Sequence, residues 1–455
     1  MANSIAGLPS SLKRKAEAFL SPVFIATVAR AEGLSWRNTP LALPNLIALF
    51  ARQILGGNLS MPELARQAGS LFTPEAFCIA RGRLPLGLLR TLLRHICDLG
   101  NQDQGRWKGH RLWHIDGTGI SMPDTPQLQE HFGQPPAQKR GCGFPVTHVL
   151  CLFDVATGML RDCVISPLRT HDMADTGKLH HHLARGDVLI ADRAFENFTH
   201  LALLISNGIH AILPAHQRRK TDFRQKRRRR SRGKPAGKAK HGRRPPLYDR
   251  EVMRKCGPRD QIVRWLKPTD CPRWISQERY DSLPQFIEVR ELRRSVRMDD
   301  GRPLEITLVT TLLDEKLYPA EELVAVLKAR WGVEVNLRHL KTTMGMNILR
   351  SMTVAGIERE IWMYAIVYNA IRLVMLEAAA RQQVTVDRIS FADALHWVRH
   401  GDLSGPLPQL ALVPLRPGRV EPRLLKRRRD QYGRLTKPRQ QMRKASRRRR
   451  SRYKI

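Results

Sequence analysis

The 455-residue chain carries 78 Lys and Arg residues against 41 Asp and Glu residues, a formal net charge of +37. Hydrophobic residues make up 42% of the chain, which excludes a protein that is disordered throughout. A folded protein with this much positive charge indicates a polyanionic partner, and we expect DNA or RNA. The seven cysteines include no CxxC pair, so they indicate neither a zinc ribbon nor a disulfide framework.

Residues 1–106 have helical patterns and are predicted to form a helical N-terminal DNA-binding region. Ser60 begins a capping box, and Thr73 stands before the proline that opens a second helix. Two short helices joined by a glycine turn indicate a helix-turn-helix, in which Arg81 and Arg83 on the second helix would contact DNA. A plain helical bundle gives the same pattern, so both alternatives stay open.

From residue 107 the chain changes to short β-type runs, and residues 107–216 are predicted to be the first part of an α/β domain. Asp116 and Asp192 each come at the end of an apolar run, where a carboxylate can project from the edge of a sheet. Between them we expect a β-hairpin over 146–167 and a helix over 172–185. Strands that alternate with helices predict a mixed sheet.

Residues 217–303 interrupt this domain with a basic loop and a β-rich insertion. The loop, residues 217–245, holds fifteen Lys or Arg residues and one acid, without a hydrophobic period. In the insertion, Trp265 is expected either to pack in a core or to stack on a base displaced from DNA. Residues 304–395 resume the α/β pattern, and 396–455 form a basic tail that we expect to be disordered without DNA.

Two further segments could suggest other functions. The apolar run 361–380 contains Arg372 and Glu377, which predicts a buried helix and not a membrane span. Three successive histidines, 180–182, could suggest a metal site, but successive helical residues point in different directions, so we expect a solvated run. No membrane partner is predicted, and we expect the protein in the cytoplasm.

Arg330, Glu334 and Lys341 are separated by four and seven residues, so an α-helix would bring them to one face. A carboxylate flanked by two cations suits a site where the carboxylate binds a metal and the cations bind phosphates. Singly, each candidate has an ordinary explanation. Asp116 and Asp192 could be turn or cap residues, and Glu334 could pair with Arg330, so the three carboxylates carry an argument only together.

The segment around Glu334 resembles the signature helix of DDE transposases from bacterial insertion sequences, in the IS-four family, whose pattern is Tyr-x2-Arg-x3-Glu-x6-Lys. Three of the four fixed residues match, and Leu327 stands at the Tyr position. Asp116 in Ile-Asp-Gly-Thr and Asp192 in Leu-Ile-Ala-Asp-Arg-Ala-Phe resemble the first and second aspartates of the family. The resemblance implies an RNase H-like α/β fold, a mixed sheet with flanking helices, interrupted by the insertion and preceded by the helical region.

Cutting and joining phosphodiester bonds requires an activated nucleophile and a stabilised leaving oxygen, which two Mg²⁺ ions can provide. Mg²⁺ prefers carboxylate oxygens, so three carboxylates suffice for two ions. We expect Asp116 to bridge both ions, and Asp192 and Glu334 each to complete one. Mn²⁺ is expected to substitute for Mg²⁺.

The expected function is therefore a DNA transposase that binds the terminal inverted repeats of its element, cleaves there and transfers the strands to target DNA. The resemblance implies that Arg330 and Lys341 bind the phosphates of the DNA end, and Arg193 is a further candidate for this role. A homodimer is expected because two ends must be cut together. The alternatives are an RNase H-like nuclease without strand transfer and a catalytically inactive, DNA-binding relative.

Overall fold

The computed structural model of the chain describes residues 21–444, except 101–104, 171, 218, 220, 225–249, 298–302, 401–406 and 415–436. Most of the predicted basic loop and much of the predicted tail therefore lie outside the described residues. Within the described part, five helices come before the first strand: α1 Pro22–Ala31, α2 Leu43–Leu55, α3 Met61–Gln67, α4 Pro74–Gly82 and α5 Leu86–Gly100.

Nine strands form one mixed sheet in the order β3-β2-β1-β4-β5-β9-β8-β7-β6. The strands are β1 Leu112–Ser121, β2 Val146–Asp154, β3 Leu160–Pro167, β4 Val188–Ile190, β5 His210–Pro214, β6 Arg250–Gly257, β7 Asp260–Leu266, β8 Phe286–Arg297 and β9 Pro303–Thr310. Strands β1 to β3 are antiparallel, whereas β4 and β5 run parallel to β1 and to each other. This arrangement confirms the predicted RNase H-like mixed sheet, and β6 to β8 extend the same sheet through β9.

The remaining helices flank this sheet. They are α6 Pro126–Phe132, α7 Asp172–Thr176, α8 Phe198–Ser206, α9 Gln277–Asp281, α10 Ala320–Ala329, α11 Trp331–Arg338, α12 Val354–Gln382 and α13 Phe391–His400. Helix α12 is long and apolar enough to cross a membrane, but 94% of its apolar window is buried inside the protein. Its Arg372 donates from Nε to the Thr157 carbonyl at 2.9 Å. The prediction of a buried helix is confirmed.

Side chains alternate across β1, which divides the residues near the predicted site between two faces. Trp113 and Ile115 are buried in a core with α8, β7 and β8. His114 and Asp116 therefore point to the opposite face. There, one core joins α12 and the N-terminal helices to β2 and β3, and another joins α10 to β4 and β5. Helix α11 packs against β1 on this face.

The predicted caps of the N-terminal helices are confirmed. Ser60 Oγ accepts from the Glu63 amide at 3.3 Å, and Thr73 Oγ1 accepts from the Ala76 amide at 3.1 Å. The Glu63 carboxylate, however, accepts from Gln67 at 3.1 Å and also pairs with Arg66. The Glu63 carboxylate therefore binds Arg66 and Gln67, which lie one turn further along the same helix.

Of the two alternatives for the N-terminal helices, the position of Arg81 favours the plain helical bundle. Its guanidinium carbon lies 4.7 Å from the ring centroid of Phe50, and Nη1 donates to Gln53 Oε1 at 3.0 Å. Burial lowers the pKa of Arg81. The guanidinium is therefore part of the helical core, whereas Arg83 is exposed.

We expect Arg81→Ala to lower the free energy of unfolding by about 2 kcal/mol, because the stacked stem and a part-buried hydrogen bond are both lost. Arg83→Ala, the matched exposed control, should change it by less than about 0.5 kcal/mol. Urea titration followed by circular dichroism measures both variants. A stable Arg81→Ala protein with impaired DNA binding would restore the DNA-contact role.

The predicted helix over 172–185 is wrong in extent, because α7 is short and a separate 3₁₀ turn covers the histidines. The histidines are not a solvated run either. The His180 ring stacks on the buried His200 ring with centroids 5.2 Å apart, and His182 Nε2 lies 2.5 Å from Asp162 Oδ2. These partners are distant in sequence, and they hold a bend where the helical pattern would continue.

Two expectations about the C-terminal half have different outcomes, since the core-packing alternative for Trp265 is confirmed and the disorder of the tail needs correction. Trp265 is fully buried and its indole Nε1 donates to Glu291 Oε1 at 3.2 Å, so it packs in the core and does not stack on DNA. The tail 396–455 is not disordered in its described parts. Helix α13 continues to His400, and residues 437–444 lie against the loop that contains Gly141.

Candidate active site

Asp116 and Asp192 lie at the same level, Asp116 on β1 and Asp192 two residues beyond the end of the parallel strand β4. In the register of β1 and β4, Leu112 is opposite Val188, an offset of 76 residues (188 − 112), and 192 − 116 is also 76. The expectation that Asp116 ends its strand is wrong, because β1 continues to Ser121 and is paired there with β2. The pairing of β1 with β4 ends at His114 and Ile190, just before this level, so the sheet opens beside both carboxylates.

Backbone amides orient both aspartates. The Gly117 amide donates to Asp116 Oδ1 at 2.8 Å, and the Arg193 amide donates to Asp192 Oδ1 at 2.7 Å. Asp192 caps the 3₁₀ turn that follows β4, and its side chain is 41% exposed. The Arg193 guanidinium lies 3.8 Å from the same carboxylate, a position from which it can also reach a phosphate at the site.

Glu334 comes to this site on α11. A Cβ built at Gly332 would lie 4.0 Å from His114 Cε1, so α11 crosses closely over β1 beside Asp116. The Glu334 side chain is 57% exposed, and its Oε1 lies 3.2 Å from Nη2 of the more buried Arg330. The carboxylate is therefore open to solvent and to ligands.

The electrostatics of Asp116 connect these groups. Burial raises the pKa of Asp116 to about 6, and the negative charges of Asp192 and Glu334 add to the rise. The Gly117 hydrogen bond and the positive charge of Arg330 oppose it. The charges of Asp192, Glu334 and Arg330 thus all act on the Asp116 carboxyl beside the opening between β1 and β4.

Lys341 lies further along the same helical segment, with one difference from the prediction. Residues His339–Thr343 form a π-helical turn, which has more residues per turn than an α-helix. Lys341 is therefore shifted around the helix axis relative to the position that a continuous α-helix would give it. Burial lowers the pKa of Lys341.

Leu327, at the position of the family tyrosine, is 5% exposed and packs in the core between α10 and the sheet. Its neighbours in that core include Leu323 and Val324, one turn earlier on α10. The side chain therefore contributes packing at a position where a hydroxyl would need a polar partner.

A pair of side chains that the sequence pattern did not indicate supports the Asp116 backbone. His148 Nε2 lies 2.8 Å from Asp172 Oδ1, and a Cβ built at Gly117 would lie 2.5 Å from that same nitrogen. A side chain at 117 would therefore displace the His148 ring from Asp172, and the pair packs behind the amide that binds Asp116. The Ile-Asp-Gly-Thr motif contained this signal, since a glycine next to a site aspartate often marks close packing.

A second group of potential metal ligands lies elsewhere. One ligand atom from each of Asp162, His181 and His182 falls within 4.8 Å of the others. Asp162 Oδ2 already lies 2.7 Å from Arg94 Nη2 and 2.5 Å from His182. The carboxylate of this group is therefore satisfied by cationic and histidine partners, and the group shares no residue with the site on β1.

Similar proteins are known over most of the chain. The chain is 21% identical over 380 residues to the transposase InsG for insertion sequence element IS4 from Escherichia coli (strain K12), covering 79% of this chain and 78% of that protein. A solved piggyBac transposase synaptic complex with hairpin DNA aligns with a TM-score of 0.44 at 10% identity, over 86% of this chain and 81% of that chain. The family described as "Transposase DDE domain" matches residues 107–370, more than half of the chain. The protein belongs to this family of DDE transposases.

Proposed function

We propose that the protein is the transposase of a bacterial insertion sequence, which binds the element ends, cleaves there by metal-dependent phosphodiester hydrolysis and transfers the strands to target DNA. The observation that supports this most is the approach of three carboxylates. Asp116 on β1 and Asp192 just beyond the end of β4 stand level, and the helix that carries Glu334 packs over β1.

We infer that these three residues bind the divalent metal that the DDE family implies. The three carboxylates fit a divalent metal, because burial and the two neighbouring carboxylates disfavour the charged form of Asp116. A bound cation would stabilise that charged form. In the proposed site, Asp116, Asp192 and Glu334 would together hold two Mg²⁺ ions, for which Mn²⁺ would substitute. When bound, the ions activate the attacking water or 3′-hydroxyl and stabilise the leaving oxygen.

The cations around the carboxylates are proposed to hold the DNA. Arg330 lies close enough to Asp116 to oppose the rise of its pKa, so a phosphate at the carboxylates would be within reach of the guanidinium. Lys341 and Arg193 are proposed to contact phosphates on either side. The guanidinium of Arg330 is planar and can bind two phosphate oxygens at once.

Arg330→Ala and Lys341→Ala are expected to reduce cleavage by about ten- to a hundredfold through weaker positioning of the DNA end, while metal affinity stays close to that of the parent. Lys316→Ala, an exposed cation in the loop before α10, is the matched control and should retain cleavage. Calorimetric titration with Mn²⁺ and fluorescence anisotropy with labelled end DNA separate the two properties. Lost metal binding with unchanged end binding would reverse the proposed roles.

The parts of the chain have different proposed roles. Residues 107–216 and 304–395 form the catalytic domain, and 217–303 form a basic loop and β-rich insertion within it. Residues 1–106 are the proposed region that binds the element ends, and 396–455 the basic tail. We further propose a homodimer, because two ends must be cut together, and a cytoplasmic location where the DNA is accessible.

Incubation of the protein with DNA that carries the element end and Mg²⁺ tests the function. Nicking followed by joining to a target plasmid supports a transposase. Nicking without joining favours the nuclease alternative, and binding without nicking favours the inactive relative. Because all three carboxylates are present at the site, we expect joined product on a denaturing gel.

A further inference from the structure

A large groove lies beyond the far end of β1, outside the proposed catalytic site. Its volume is about 1530 Å³, and its walls are α6, the loop that follows it, the end of β3 and residues 438–443 of the tail. The lining is strongly basic. The cations that line it are Lys139, Arg140, Arg169, Arg439 and Arg443. We call this feature the basic groove.

The tail segment is held in this wall by specific contacts. Arg439 forms an ion pair with Asp124, and its Nη1 donates to the Gly143 carbonyl at 3.2 Å. The same guanidinium lies 4.8 Å from the ring centroid of Phe144. At Gly141, where φ is +78°, a Cβ would lie 3.2 Å from Pro438 Cβ, so the two backbones approach closely. Residues 437–444 are thus built into the groove wall.

The charge balance of the lining leaves the groove positive. Two acidic residues, Asp124 and Glu130, line it, and Asp124 is neutralised by Arg439. The cations on the other sides, Arg140, Arg169 and Arg443, are all exposed. Cations gathered around a concave surface favour a ligand with repeated negative charges along a line, as in a nucleic acid backbone.

The groove lies at the end of β1 towards which the strand runs from Asp116. Strand β1 continues from Asp116 to Ser121, and Asp124 follows three residues later. Five residues of strand span about 17 Å, which corresponds to roughly five base pairs of duplex DNA. A duplex that enters the carboxylate site and continues along β1 would therefore reach the groove within half a helical turn.

We propose that the basic groove binds the phosphate backbone of the DNA duplex about five base pairs from the scissile bond, with tail residues 437–444 as one wall. This inference rests on the proposed function, which places the scissile bond at Asp116. The tail thereby supplies a defined DNA contact through Arg443.

The test compares two double variants with equal charge change. Arg140→Ala with Arg169→Ala removes two groove cations. Arg185→Ala with Lys316→Ala removes two exposed cations that do not line the groove. Binding is measured by fluorescence anisotropy across a salt series, using a duplex that extends ten base pairs on both sides of the cleavage point and two duplexes that each lack one arm.

For the groove variant we expect the slope of log K against log salt to decrease by about 1.8, and affinity at 0.1 M salt to fall roughly tenfold or more. The effect should disappear on one of the two shortened duplexes, and the control variant should match the parent. The proposal that the basic groove binds DNA would be overturned by any of three results. These are an unchanged slope, an equal change in the control variant, or an effect that is the same on all three duplexes. Failure of the parent protein to cleave would count against the proposed function alone, because the binding titrations would still test the groove.

Discussion

Replacement of Asp116, Asp192 or Glu334 by its amide (Asp116→Asn, Asp192→Asn, Glu334→Gln) is expected to reduce DNA cleavage by roughly a thousandfold or more. An amide keeps the shape of the side chain but removes the negative charge that binds the metal. Metal stabilisation of the transition state contributes several kcal/mol, and each 1.4 kcal/mol corresponds to a tenfold change in rate. Because Asp192 and Glu334 are largely exposed and Asp116 is a desolvated carboxylate, folding should be nearly unaffected.

Cleavage of end DNA with Mg²⁺ measures the rate, thermal unfolding measures the fold, and calorimetric titration with Mn²⁺ measures metal binding. The matched control is Glu322→Gln, a carboxylate on α10 that is 44% exposed and pairs with Lys108 at 2.9 Å. The control should cleave at the parent rate. Near-normal cleavage by any one of the three triad variants would remove that residue from the proposed site.

Arg219→Ala is expected to lower the free energy of unfolding by about 3–5 kcal/mol, because it leaves a buried carboxylate without its counter-ion. Arg219 pairs with Glu196, and the two side chains are 4% and 0% exposed. Glu196 ends the turn that begins at Asp192. The Arg219 guanidinium carbon also lies 3.5 Å from the ring centroid of Trp265, on β7. One buried cluster therefore joins the turn of the second aspartate to the insertion.

The matched control for Arg219→Ala is Arg259→Ala. Arg259 pairs with Glu305 at 2.8 Å, but the two side chains are 58% and 51% exposed, so water replaces the lost partner. We expect a change below about 1 kcal/mol for this variant. Urea unfolding followed by tryptophan fluorescence compares the two. Equal losses of stability would show that the Arg219–Glu196 pair is not desolvated in solution.

Several elements could be predicted from the sequence because their signals are local. The caps at Ser60 and Thr73 satisfy amides three residues away, and the hairpin between β2 and β3 follows from two apolar runs around a turn. The helix α12 was predicted as buried because its charges interrupt an otherwise apolar run. In each case, residues close together in the chain determine the structure.

The candidate site was predicted partly from residue patterns and partly from resemblance to the DDE family. The sequence placed Asp116 and Asp192 after apolar strands, and the parallel register then brought them level. It did not indicate the π-helical turn at Lys341, because five successive residues in such a turn carry no distinct pattern. The support behind Gly117 from His148 was also missed, since that contact depends on the pairing of two strands.

Length, charge and short-range pattern by themselves determined that this protein is a basic α/β protein with three candidate carboxylates and a nucleic acid partner. Only the tertiary structure decided which charged and aromatic side chains are available to that partner. Arg81 binds Ser351 270 residues away, and Trp265 is covered by Arg219 from the start of the basic loop. The physical reason is desolvation: a cation or an indole becomes a core residue when partners from distant segments enclose it, and no local period records those partners.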